Sequence, residues 1–148
     1  MKILVATSGC YDPAIDAGHS AFSFPWPRGC EIHVLSVAQA NYPPMVGMVP
    51  DPVDTSDLQN PTVDEVRSIA STAALRFREL GYQAEGVSAK GDAETEILEH
   101  ARTWGADLIV VGSHERTRLE RFLVGSVSEH VVKHAACSVL ILKHAEGV

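Results

Sequence analysis

No stretch of this 148-residue chain approaches the length of a bilayer-spanning helix, and the apolar run in Met1-Lys2-Ile3-Leu4-Val5-Ala6-Thr7 is too short for the core of a secretory signal. The expected setting is the cytoplasm, with no membrane partner. Cysteine is scarce as well. Cys10, Cys30 and Cys137 are odd in number and far apart, and no Cys-x-x-Cys pair points to zinc or dithiol chemistry. Basic charge is also short, with 12 Lys and Arg against 19 Asp and Glu, a net charge of −7. That excludes nonspecific binding to nucleic acid, which needs a field of cations to displace phosphate counterions. No Gly-Lys-Ser or Gly-Lys-Thr occurs, which removes a P-loop. No serine or histidine lies in an elbow motif, so no catalytic residue is assigned and an enzyme is not expected.

What is present is an ordinary globular composition, 45% apolar and 21% charged, at a length that suits one domain over residues 1–148. Four runs, Lys2–Ala6, Ile32–Val37, Leu108–Val111 and Val139–Leu142, are apolar and rich in β-branched residues, as strands covered on both faces are. A weaker fifth lies near Ala84–Ala89. Helical patterns separate them. Asp12-Pro13 opens the first, with Ala14, Ile15, Gly18, Ala21 and Phe22 on one face until Pro25 and Pro27, between which Trp26 reads as a packing anchor. Thr62 and Glu65 form a capping box for the second, which carries Val66, Ile69, Ala70, Ala73, Phe77 and Leu80 before Gly81. Asp92 opens the third, with Ile97, Leu98, Ala101 and Trp104 on its apolar side. Ser126 and Glu129 read as a capping box for a fourth, with Val127, Val131 and Val132 apolar.

Alternating strands and helices joined by right-handed crossovers make an α/β fold, here a doubly wound, Rossmann-like, five-stranded parallel sheet with helices on both faces. Residues 39–61 interrupt the pattern. They hold five of the eight prolines and no periodicity, and read as an irregular exposed loop.

In such folds ligands bind beyond the carboxyl ends of the strands, where the crossover direction reverses. The segment there after the fourth strand runs from Gly112-Ser113-His114-Glu115-Arg116 to Gly125-Ser126-Val127-Ser128. Residues 51–99 account for the whole negative balance, whereas residues 112–134 are net positive by one. Glycines at 112 and 125 let backbone amides approach an anion, and Ser126 and Ser128 stand where a helix begins, an arrangement suited to phosphate. The same residues are consistent with a strand end, a turn and a helix cap and nothing more. His130 and His134, four apart, would share a helix face, but no third metal ligand is evident and no metal site is assigned.

At this loop the chain resembles the universal stress protein family, whose ATP-binding members carry Gly-x-x-Gly, nine residues, then Gly followed by Ser or Thr. The spacing is kept in Gly112, two residues, Glu115, nine residues, Gly125-Ser126. The text from Ala106-Asp107-Leu108-Ile109-Val110-Val111-Gly112 through Ser128-Glu129-His130-Val131-Val132 to Cys137-Ser138-Val139-Leu140-Ile141 resembles that family, as does Gly91-Asp92-Ala93 with Glu96-Ile97-Leu98. The resemblance implies an ATP- or AMP-type nucleotide, with Mg²⁺, and phosphate contacts from Gly112, Ser113, Glu115, Arg116, Gly125, Ser126, Val127 and Ser128. It places Ala6, Thr7, Ser8 and Val37 near the nucleoside, and implies a homodimer through the last strand. Two positions depart from the pattern: Glu115 replaces the second glycine, and Ser8 stands where an Asp is usual. Two readings follow, a nucleotide-binding stress protein and a dimeric interaction module of the same fold that binds none.

Overall fold

In the computed structural model the described residues are 1–7, 21–39, 62–112 and 126–142. Within them lie strands β1 (Lys2–Thr7), β2 (Glu31–Gln39), β3 (Gln83–Gly91), β4 (Leu108–Gly112) and β5 (Ser138–Leu142). The helices are α1 (Val63–Glu79), α2 (Ala93–Trp104) and α3 (Ser126–His134). The start of the first expected helix, the proline-rich connection after Gln39 and the loop at 113–125 lie outside the described residues. Among the described residues no helix is long and apolar enough to cross a membrane.

All five strands are parallel, in the order β3-β2-β1-β4-β5. The doubly wound sheet expected from the alternation of elements is therefore present. Side chains alternate along each strand, and both faces are covered. Ile3, Val5, Ile32, Val34 and Val110 pack on one face with Ala74 and Phe77 of α1 and with Ala21 and Trp26. Leu4, Ala6, Leu35, Val37, Ile109 and Val111 pack on the other with Ile97 and Ala101 of α2 and Val131 of α3. Double coverage explains why these strands read as unbroken apolar runs. The Trp26 anchor is also realised: the indole is buried and donates to the Ala21 carbonyl at 2.8 Å.

The expected caps of α1 and α2 form. Thr62 N donates to Glu65 Oε2 at 2.6 Å while Glu65 N donates to Thr62 Oγ1 at 3.3 Å, and Asp92 accepts from Thr95 N at 3.0 Å. Two apolar assignments are corrected. Leu80 is 49% exposed, because α1 ends at Glu79 and Leu80 is its cap residue, turned off the helical stripe; Ala74 takes the inward place instead. Val132 is equally exposed, one residue past the inward-facing Val131 on α3.

Gly86 explains why β3 reads weakly in sequence. A Cβ there would meet the Ala70 carbonyl carbon at 2.7 Å and Ser71 N at 2.8 Å, so α1 lies directly against the strand backbone. Helix backbone cannot turn aside as a side chain can. Gly86→Ala should therefore force α1 and β3 apart and destabilise the fold by about 1–3 kcal/mol, read as a lower urea midpoint with unchanged slope.

Candidate functional site at the carboxyl edge of the sheet

The pairing of β1 and β4 differs between its two ends. At the amino end it is tied down: Lys2 N donates to Asp107 Oδ2 at 2.7 Å, Asp107 N donates to the Lys2 carbonyl at 2.8 Å, and Lys2 Nζ donates to the Trp104 carbonyl at 3.1 Å. The ladder then runs through Ile3↔Leu108 and Leu4↔Ile109 and ends at Val5↔Val110. On the outer sides pairing continues further, β1 with β2 to Thr7↔Ser36 and β4 with β5 to Gly112↔Leu142. The last two residues of β1 and of β4 thus each keep one neighbour and leave the other. This opening is where the order reverses, since β2 and β3 lie on one side of β1 and β4 and β5 on the other. Backbone groups left unpaired at such a split are free to meet a ligand.

Thr7 forms one wall. Its hydroxyl, in a buried setting, pairs with the Ser36 hydroxyl and reaches the Leu35 carbonyl at 3.3 Å. The side chain of Thr7 is thus engaged with β2. Ala6 and Val37 are also buried, both in the cluster beneath α2 and α3. Of the nucleoside positions implied in sequence, Ala6, Thr7 and Val37 therefore gather at the ends of adjacent strands, while Ser8 lies outside the described residues.

Gly112 and α3 form the other wall. Ser128, 3% exposed, donates its hydroxyl to the Gly112 carbonyl at 2.5 Å, binding the first turn of α3 to the end of β4. The first N–H groups of any helix lack acceptors within it and carry the positive end of its dipole. Because Ser128 anchors that turn to β4, the N–H groups of Ser126, Val127 and Ser128 are held at the strand ends. The serine hydroxyl serves the scaffold, which leaves the first backbone N–H groups of α3 as donors without acceptors inside the helix. Ser113, Glu115, Arg116 and Gly125 lie outside the described residues.

The capping box read at Ser126 and Glu129 turns on residue 125 and the Ser126 side chain, which lie outside the described residues; the Glu129 carboxylate accepts from Lys133 Nζ at 2.8 Å, one turn onward. That pair holds the Glu129 carboxyl below its usual range. His130 and His134 do share a face, with ring centroids 4.3 Å apart, and His130 Nδ1 is 3.4 Å from Glu94 Oε2 on α2. Among the described residues, no group of three or more His, Cys, Asp or Glu is arranged to hold a metal. Burial pushes the Cys30 and Cys137 thiols up, which suits fillers and not nucleophiles.

Ser36 is a site residue that the linear pattern did not single out. A hydroxyl in the mostly apolar run Ile32–Val37 was the available signal, and its partner Thr7 is 29 positions away.

Comparison with known proteins bears on the whole chain. A model of the Universal stress protein family matches residues 1–143. Universal stress protein YxiE of Bacillus subtilis is 34% identical over 146 residues, covering 96% of this chain and 98% of that protein. Among solved structures, hypothetical protein MJ0577 superposes with a TM-score of 0.70 at 23% identity, covering 99% of this chain and 97% of that one. A universal stress protein family member from Arabidopsis thaliana superposes with a TM-score of 0.64 at 21% identity, covering 99% and 93%. At such identities the two structures establish the fold.

Ser128→Ala tests the anchoring role. Removing the hydroxyl leaves the Gly112 carbonyl without its donor and should cost about 1–2 kcal/mol of stability, measured by denaturant unfolding.

Proposed function

The chain belongs to the universal stress protein family, and from that premise we propose that it is a nucleotide-binding stress protein whose ligand is an adenine nucleotide of the ATP or AMP type. The observation that carries this reading is the opening between β1 and β4 with the α3 N-terminus fixed beside it by Ser128 and Gly112. Helix N–H groups and glycine backbone favour phosphate oxygens at such a place. Fold neighbours support the ligand class: the Arabidopsis thaliana protein was solved with AMP bound, and two others in complex with cAMP and with dAMP.

In this reading the phosphates lie against Gly112, Ser113, Gly125 and the amides of Ser126, Val127 and Ser128. Arg116 offsets part of the negative charge of Glu115, and the nucleoside lies toward Ala6, Thr7, Ser8 and Val37. Mg²⁺ arrives with the nucleotide, on its phosphates. The pocket binds without turnover, and its occupancy alters what the protein associates with in the cytoplasm. A second copy of the chain is the first such associate, paired along the edge of β5, whose Val139–Leu142 run is apolar and lies at the end of the sheet.

Two measurements check these proposals. Calorimetric titration with ATP and AMP, with and without Mg²⁺, should show saturable binding, and Glu115→Gly should tighten ATP at least about fivefold by removing roughly 1 kcal/mol of charge repulsion. Absence of binding at millimolar nucleotide in both forms would sink the reading. Sedimentation at micromolar protein should give a dimer, and a monomer there would remove the β5 pairing.

A further inference from the structure

At the end of the sheet opposite the proposed pocket, two histidines distant in sequence face each other. His33 lies near the start of β2 and His100 in the second half of α2. His33 Nδ1 is 3.0 Å from His100 Nε2. The His33 ring stacks on Trp104 at 3.7 Å and 11°, and its Nε2 is 3.7 Å from Glu85 Oε2 on β3. His33 is only 17% exposed, whereas Glu85 is 75% exposed and a weak counter-ion.

A hydrogen bond between two imidazole nitrogens needs one nitrogen to donate and the other to be bare. The pair therefore tolerates no proton or one extra proton. With two, both nitrogens carry hydrogens, the bond is lost, and two cations face each other across 3 Å in a half-buried site. The groups around the pair do not cancel this. From β1, Lys2 reaches over Trp104 with Nζ 5.4 Å from the ring and adds positive charge. Glu31 on β2 and Glu85 on β3 oppose it. On α2 itself, Glu99 and Arg102 pair with each other, and Asp107 beyond the helix is held by Lys2 N. Desolvation is the largest influence on both rings and holds both below the usual imidazole value, His33 further lowered by His100.

We propose that His33 and His100 form an acid-release latch between β2 and α2, closed while the pair shares at most one extra proton and opened when both rings are protonated. Its moving part is the second half of α2. That segment packs through Ala101 and Trp104, and besides the histidine pair one side-chain hydrogen bond ties it to the sheet among the described residues, from Lys2 Nζ on β1 to the carbonyl of Trp104 at the helix end. The sign follows from the lowered proton affinities. The folded chain binds fewer protons than the unfolded one below the ordinary histidine value near 6.5, so the latch's contribution is complete above it. It is lost as pH falls through the lower folded values.

Site-resolved amide hydrogen exchange on the full chain, corrected for intrinsic rates, tests the latch between about pH 7.5 and about pH 5.5. Amides in the second half of α2 should lose at least about tenfold more protection than those of β1 and β4. In the variant His33→Asn with His100→Gln, whose amides keep a nitrogen and oxygen at the bonded positions but do not titrate, that excess should vanish. Should the double variant fail to fold, His100→Gln alone serves, because it leaves His33 a partner that takes no proton. An α2 excess persisting in the variant that folds, or no excess in the unaltered chain, would overturn the proposal.

Discussion

The pairing of β1 with β4 is the constraint on which the rest of this structure depends. Among the described strands it is the only junction where the strand order reverses, and it ends at Val5↔Val110, short of both strand ends. The crossover α1 between β2 and β3 covers one face, while α2, which spans the junction from β3 to β4, and α3, between β4 and β5, cover the other. Continued pairing would close the edge to a ligand. Earlier separation would expose Leu4, Val5 and Val110, which are fully buried.

Each end of that junction is stabilised differently. At the amino end, Lys2 and Asp107 lock backbone to backbone and Trp104 is brought over β2, where it stacks on His33. At the carboxyl end, Thr7 turns to Ser36, and Gly112 is held by Ser128. Hydroxyl groups there bind strand to strand and helix to strand, so the groups left for a phosphate are backbone N–H. In the proposed reading the nucleoside lies toward position 8 and the phosphates lie toward the α3 N-terminus, so a serine at position 8 bears on the nucleoside alone.

Much of the fold was legible in the sequence because burial on both faces writes itself as apolar, β-branched runs, and because Thr62, Glu65 and Asp92 cap their helices by local rules. β3 was fainter. As an edge strand it carries Glu85, Gly86, Ser88 and Lys90, and Gly86 answers to the backbone of α1 and not to any strand preference. The proposed phosphate segment was legible as a spacing of glycines, but the bond made by Ser128 was not, since its acceptor is 16 residues earlier. His33 and His100 were invisible as a pair for the same reason: 67 positions separate them, and only the register of β2 beneath α2 brings their nitrogens together.

The central claim is that the open end of the β1–β4 junction is a nucleotide site built on backbone amides. Amide chemical shifts of the isotopically labelled full chain, followed as AMP and then ATP are added, test it most directly. The account predicts saturating shifts concentrated at Thr7, Gly112, Val127 and Ser128, with Lys2, His33 and Trp104 at the opposite edge unmoved. Saturation with shifts centred elsewhere, or no shift at millimolar nucleotide, would contradict it.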